Sequence, residues 1–190
     1  MPEQLEYDIA GKWSDDFDAS IKTESTRAKV ILSACYLDAL LRQLLTMILK
    51  PVVSSEDDPL FDGPQAPLSA FNAKIELASR LGAISQNTKK SLHLIRKIRN
   101  RFAHRLTSCD FSDPQIAAWN SELHKLNDHA TEQRRASFST GAVGDFEKSV
   151  SWLIFWLKSL VQQISTACPS CGLEMEHRVR LRAIGPDEEC

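Results

Sequence analysis

The chain is poor in glycine, with seven in 190 residues, and has only two tyrosines. Sustained alternation of Thr, Val and Tyr with polar residues is also missing, so the period of two that marks a half-buried strand does not appear. That argues against a sheet protein. No run approaches the roughly 18 consecutive apolar residues that a membrane span needs. The opening residues Met1-Pro2-Glu3-Gln4-Leu5-Glu6 are acidic, where a secretory signal is basic and then apolar. The expectation is a cytoplasmic protein with no membrane partner. Cysteine is sparse and odd in number, five in all, with no regular framework of spacings. Cys35 and Cys109 read as reduced packing thiols.

A further absence is local. Between Lys89 and Arg105 there is no Asp or Glu, while seven Lys or Arg residues crowd the segment, in a chain whose formal net charge is -2. Such a concentration of one sign points to an anionic partner, nucleic acid among the candidates. The competing reading is a solvated face paired with the acidic N-terminal residues Asp15, Asp16 and Asp18.

What the chain does have is apolar spacing of three and four. Trp13, Phe17 and Ile21 predict a short amphipathic helix. From about Glu24 to Lys50, Val30, Ala34, Leu37, Leu41, Leu44 and Ile48 form one stripe, and Ile31, Leu40, Leu45 and Leu49 widen it until the helix is apolar nearly all round, as a central bundle helix is. Asp38 and Arg42 stand four apart on it, and Pro51 ends it. Residues 51 to 68 read as a long loop anchored by Leu60 and Phe61. Ser69 is expected to cap a helix through Phe71, Ile75, Leu77 and Ala78 that Gly82 closes, and Ser85 to start another through Leu92, Ile95, Ile98, Phe102 and Leu106. Asp113-Pro114 is an N-cap and first-turn pair for a helix through Trp119 and Leu123. Residues 127 to 144 read as a polar, mobile linker, and a last helix follows, with Phe146, Val150, Leu153, Leu157, Leu160 and Ile164 inward and Trp152 and Trp156 flanking. The predicted fold is all-α, a multi-helix up-and-down bundle in one domain over residues 1–166, with a short cysteine-containing tail over 167–190.

Two adjoining segments carry a family resemblance. The stretch Pro59-Leu60-Phe61-Asp62-Gly63 through Pro67-Leu68 to Leu81-Gly82-Ala83-Ile84, and the Arg-x-x-x-x-His segment followed by Phe111-Ser112-Asp113-Pro114-Gln115-Ile116, resemble the mannitol operon repressor family of all-helical bacterial regulators, over roughly residues 13 to 125. The resemblance implies negative regulation of transcription without a helix-turn-helix, through protein or nucleic-acid contacts. Within it, Arg99-Asn100-Arg101-Phe102-Ala103-His104 is similar to the Arg-Asn-x-x-x-His motif of the HEPN superfamily, many of whose members are metal-independent ribonucleases or toxins. By that likeness the bundle is HEPN-like. Arg99 would then bind the scissile phosphate, His104 exchange a proton with the ribose 2′-hydroxyl or the leaving oxygen, and Asn100 orient the histidine or the backbone.

At about 100° per residue, His93, Lys97, Asn100 and His104 make one polar stripe opposite Ile95, Ile98 and Phe102. His93, Arg96, Lys97, Arg101 and Arg105 are the candidate nucleic-acid contacts. Arg99 falls about 140° from His104 around a regular helix. The two meet only if the last turn unwinds or if a second copy of the chain brings its own helix alongside, which is the reason to expect a homodimer. His104 also lies near the predicted helix C-terminus, where the macrodipole favours a cation. The alternative is a structural knot, with Arg99 and Asn100 bonding nearby backbone and His104 capping the last carbonyls.

Cys168-Pro169-Ser170-Cys171-Gly172 looks like one knuckle of a zinc ribbon, since two thiolates three apart can chelate a tetrahedral ion. His177 and Cys190 are the nearby candidates for the remaining ligands, at spacings that match no known ribbon. The alternatives are a half-site completed by a second chain, or a tail with no metal. No other cofactor is implied.

Overall fold

The computed structural model describes residues 21, 23–50, 57–105, 109–131 and 139–166. The predicted helix over Trp13 and Phe17, the acidic residues Asp15, Asp16 and Asp18, and the tail with Cys168 and Cys171 lie outside them. Among the described residues there are five helices and no strand: α1 (Thr26–Ile48), α2 (Phe71–Arg80), α3 (Gln86–His104), α4 (Pro114–Thr131) and α5 (Gly141–Thr166). The protein is an all-α helical bundle.

α1 is its central element. Val30, Leu37, Leu40, Leu41 and Leu45 are fully buried along it, and it packs against α2, α3 and α5. Burial on this scale follows from the near-complete apolar circumference read in the sequence. α1 is also the one described helix long and apolar enough to cross a membrane. α3 and α4 run antiparallel: Arg101 meets Asp113 at one end, and Asn127 Nδ2 donates to Ser91 Oγ at the other. α5 lies along α1 in the same sense, with Lys29 on Glu147 and, further on, Lys158 over the ring of Tyr36. Where the end of α3 meets the starts of α4 and α5, Phe111 stacks between Phe102 and Phe146, with ring centroids 5.4 Å apart on each side.

The caps follow the side-chain chemistry. Ser85 Oγ accepts from Thr88 N at the start of α3, and Asp113 Oδ1 accepts from Gln115 N and Ile116 N at the start of α4. Gly82, at φ 68°, turns the chain out of α2. At Gly144 a Cβ would overlap the Ser139 carbonyl oxygen, at 1.7 Å, so glycine lets the approach to α5 lie against the helix.

Several local expectations are corrected. Ser69 does not cap α2: its hydroxyl donates to the Ala66 carbonyl in the preceding turn, and Ala70 takes the cap position with no side-chain bond. Phe61 is buried, but Leu60 is 41% exposed. Asp38 and Arg42 do not pair. Asp38 takes Lys74 of α2, and Arg42 takes Asp62 through two bonds of 2.7 and 2.8 Å while lying over the Phe61 ring. Cys109 packs against the core, whereas Cys35 is exposed. The polar stretch 127 to 144 is shorter as a connection than it reads, because α4 runs on to Thr131 and α5 begins at Gly141. Buried Asn127 makes this possible by bonding Ser91 and the Leu123 carbonyl, so a polar residue behaves as a core one.

Candidate nucleic-acid interface

α3 and its C-cap Arg105 carry every described candidate residue, and the core face of the helix fixes where each one sits. Leu92, Ile95, Ile98 and Phe102 are fully buried, and the helix stays regular to His104. The polar stripe therefore faces away from the core, with Lys97 and His104 exposed and His93 and Asn100 half-buried. Because the last turn does not unwind, Arg99 and His104 remain about 140° apart around the axis. Within one chain they do not converge.

The acid partners missing from the segment itself come from neighbouring elements. Glu76 of α2 takes both Lys89, at 2.7 Å, and His93, at 3.0 Å. Lys89 holds the Glu76 carboxyl below its ordinary range, with His93 adding to the effect and desolvation opposing it. Burial is the main reason that His93 is itself pushed below its ordinary value of 6.5, with nearby Arg96 and Lys89 adding to it and Glu76 opposing it. At the other end, the Asp113 carboxylate that caps α4 also takes Arg101, at 3.2 Å, and Arg105, at 2.7 Å. Its carboxyl is lowered despite desolvation, through Arg101 and the backbone donors of Ile116 and Gln115. Arg105 further offers its carbonyl to Arg27 of α1.

Three of the seven cations, Lys89, Arg101 and Arg105, are thus ion-paired in place, the two arginines sharing the one charge of Asp113. Lys90, Arg96, Lys97 and Arg99 make no ion pair among the described residues. The Arg96 and Arg99 Nε atoms are buried and have no hydrogen-bond partner. The two arginines, three apart, share the shoulder of α3 on the side of α2, since Lys89 and His93, which contact α2, lie on that flank. Lys97 lies on the α4 side, its ammonium 5.9 Å from the centroid of the Trp119 ring.

The basic stripe of the sequence is therefore divided: both ends are latched to acids from α2 and from the start of α4, and the middle is left uncompensated. Glu76 is not legible as a partner in the sequence because it lies on a different helix. Asp113 reads there only as a cap; its position eight and twelve residues beyond Arg105 and Arg101 is the available signal. Among the described residues no group of His, Cys, Asp and Glu could hold a metal ion. No family model, no curated protein and no solved structure matches the chain.

Proposed function

We propose that this protein is a cytoplasmic regulator, of the kind the mannitol operon repressor resemblance implies, that acts by binding nucleic acid through the middle of α3. The observation that supports it is the pair Arg96 and Arg99, two half-buried guanidinium groups with buried Nε atoms and no carboxylate among the described residues. Partly desolvated cations without a counter-charge are costly, and an anionic ligand relieves that cost. Planar guanidinium groups fit phosphate through paired donors. Lys97 and Lys90, both exposed, extend the positive surface along the helix.

Binding is tested by fluorescence anisotropy of a labelled RNA, titrated at several salt concentrations. A salt-dependent affinity that the double substitution Arg96→Ala/Arg99→Ala weakens supports the reading. Binding indifferent to salt points instead to a protein partner or an adaptor.

The second reading is an HEPN-like metal-independent ribonuclease acting as a homodimer, favoured by Arg99 standing without an acid partner among the described residues while His104 is exposed five residues further along α3. Since the two diverge in one chain, this reading requires Arg99 of one protomer to lie near His104 of the other. Its test is cleavage of labelled RNA in the presence of a chelator. Cleavage that disappears in His104→Ala, with fold and oligomeric state intact, makes the protein an enzyme; no cleavage leaves it a binder. Cys168 and Cys171 lie outside the described residues; if the tail binds zinc, they would supply half of a tetrahedral set. No step of either reading depends on them.

A further inference from the structure

We infer that Trp119 and Lys97 form a seat for one unpaired base, so that the nucleic acid this surface takes is single-stranded. This rests on the nucleic-acid reading and narrows it to a substrate class. Trp119, on α4, is half-buried: it packs against the core, and the flexible Lys97 side chain holds its ammonium over the ring, so a base that stacks there takes the place of the ammonium, which moves to the adjoining phosphate. The ring is held in place because α4 is pinned to α3 on either side of it, by Arg101 and Arg105 on Asp113 and by Asn127 on Ser91. A partly exposed aromatic paired with a mobile cation is an arrangement that single-strand binders use, since any base can stack on the ring while the cation holds the adjoining phosphate.

Two lysine charges and a polar imidazole lay a path for the strand along α3. Lys90, Lys97 and His104 recur every seven residues and lie within about 40° of one another around α3, each about 10 Å from the next along the axis. All three are exposed. On α4, Glu122 is exposed one turn beyond Trp119 and repels phosphate from that side. The backbone is therefore drawn along α3 while a base turns inward to the indole. A duplex keeps its bases paired within the helix and offers the ring nothing to stack on.

The experiment compares a labelled oligonucleotide of about 12 nucleotides, of mixed sequence, with its duplex form. The wild-type protein is expected to prefer the single strand, Trp119→Phe to keep that preference, and Trp119→Leu, which keeps an apolar side chain but has no aromatic face, to lose about tenfold or more in single-strand affinity. A second readout does not depend on how the leucine variant folds. With Trp13, Trp152 and Trp156 replaced by phenylalanine, the remaining fluorescence of Trp119 is expected to be quenched by the single strand and left unchanged by the duplex. Equal affinity for single strand and duplex, unchanged binding in Trp119→Leu, or absence of quenching overturns the inference while leaving the nucleic-acid reading in place. A wild-type protein that binds neither form overturns both.

Discussion

Replacing Asp38 with alanine would leave the Lys74 ammonium without its counter-charge. The Lys74 side chain is 5% exposed, its Nζ lies 2.7 Å from Asp38 Oδ1, and its other partner is the Ser69 carbonyl at 3.3 Å. Breaking a fully buried pair from one side costs about 3–5 kcal/mol, and an exposed pair is worth about 0–1 kcal/mol. Here one end is buried and the other, Asp38, is 31% exposed, so the loss should fall between those limits, at about 2 kcal/mol. In a bundle of this size that corresponds to a fall of about 4–8 °C in Tm. Thermal and urea unfolding followed by circular dichroism measure it. Removing both charges, in Asp38→Asn/Lys74→Met, should recover most of the loss, because the penalty comes from the stranded ammonium and not from the missing attraction. A single variant that melts within a degree of wild type, or a double variant no more stable than the single, would refute the argument.

Two further predictions concern the joints of the fold. Arg42→Lys keeps the charge but loses the two-pronged bond to Asp62 and the stacking over Phe61, and should destabilise by about 1 kcal/mol in urea unfolding; an unchanged midpoint would show the loop to be held by Phe61 burial alone. His93 should produce a pH dependence of opposite sense to that of a surface histidine gaining an acid partner. Because its folded value lies below 6.5, the unfolded chain binds the proton first. Its contribution is then present above 6.5 and lost as the pH falls through the ordinary histidine range toward the lowered value. His93→Gln should flatten that part of the stability profile, whereas the loss at still lower pH, from the lowered carboxyls of Asp62, Glu76 and Glu147, should persist.

The helices were legible in the sequence wherever one periodic stripe met a clear cap. The Ser85 and Asp113 caps, the Gly82 turn and the inward set from Phe146 to Ile164 all stand as read. Legibility failed where a residue's partner came from elsewhere in the fold. Asp38 and Arg42 are four apart and face each other on paper, yet Lys74 and Asp62 outcompete that local pairing by offering partly buried, directional bonds. Asn127 reads as linker because its burial depends on Ser91, thirty-six residues away. The same limit applies to the candidate site. Composition located the cations of α3, but only the packing of α2 and α4 shows which are already paired with Glu76 and Asp113 and which remain for a ligand. It also shows that the Arg99 and His104 of one chain stand on different sides of a regular helix.

The salt dependence of nucleic-acid affinity tests the central claim most directly. On a single strand each phosphate contact contributes about 0.7 to the slope of log affinity against log salt. Arg96→Ala/Arg99→Ala should therefore reduce the slope for a labelled single strand by about 1.4. Replacing Lys89, which Glu76 already neutralises, should leave it nearly unchanged. Equal slopes for wild type and the double arginine variant would contradict the assignment of the uncompensated middle of α3 as the phosphate-binding surface.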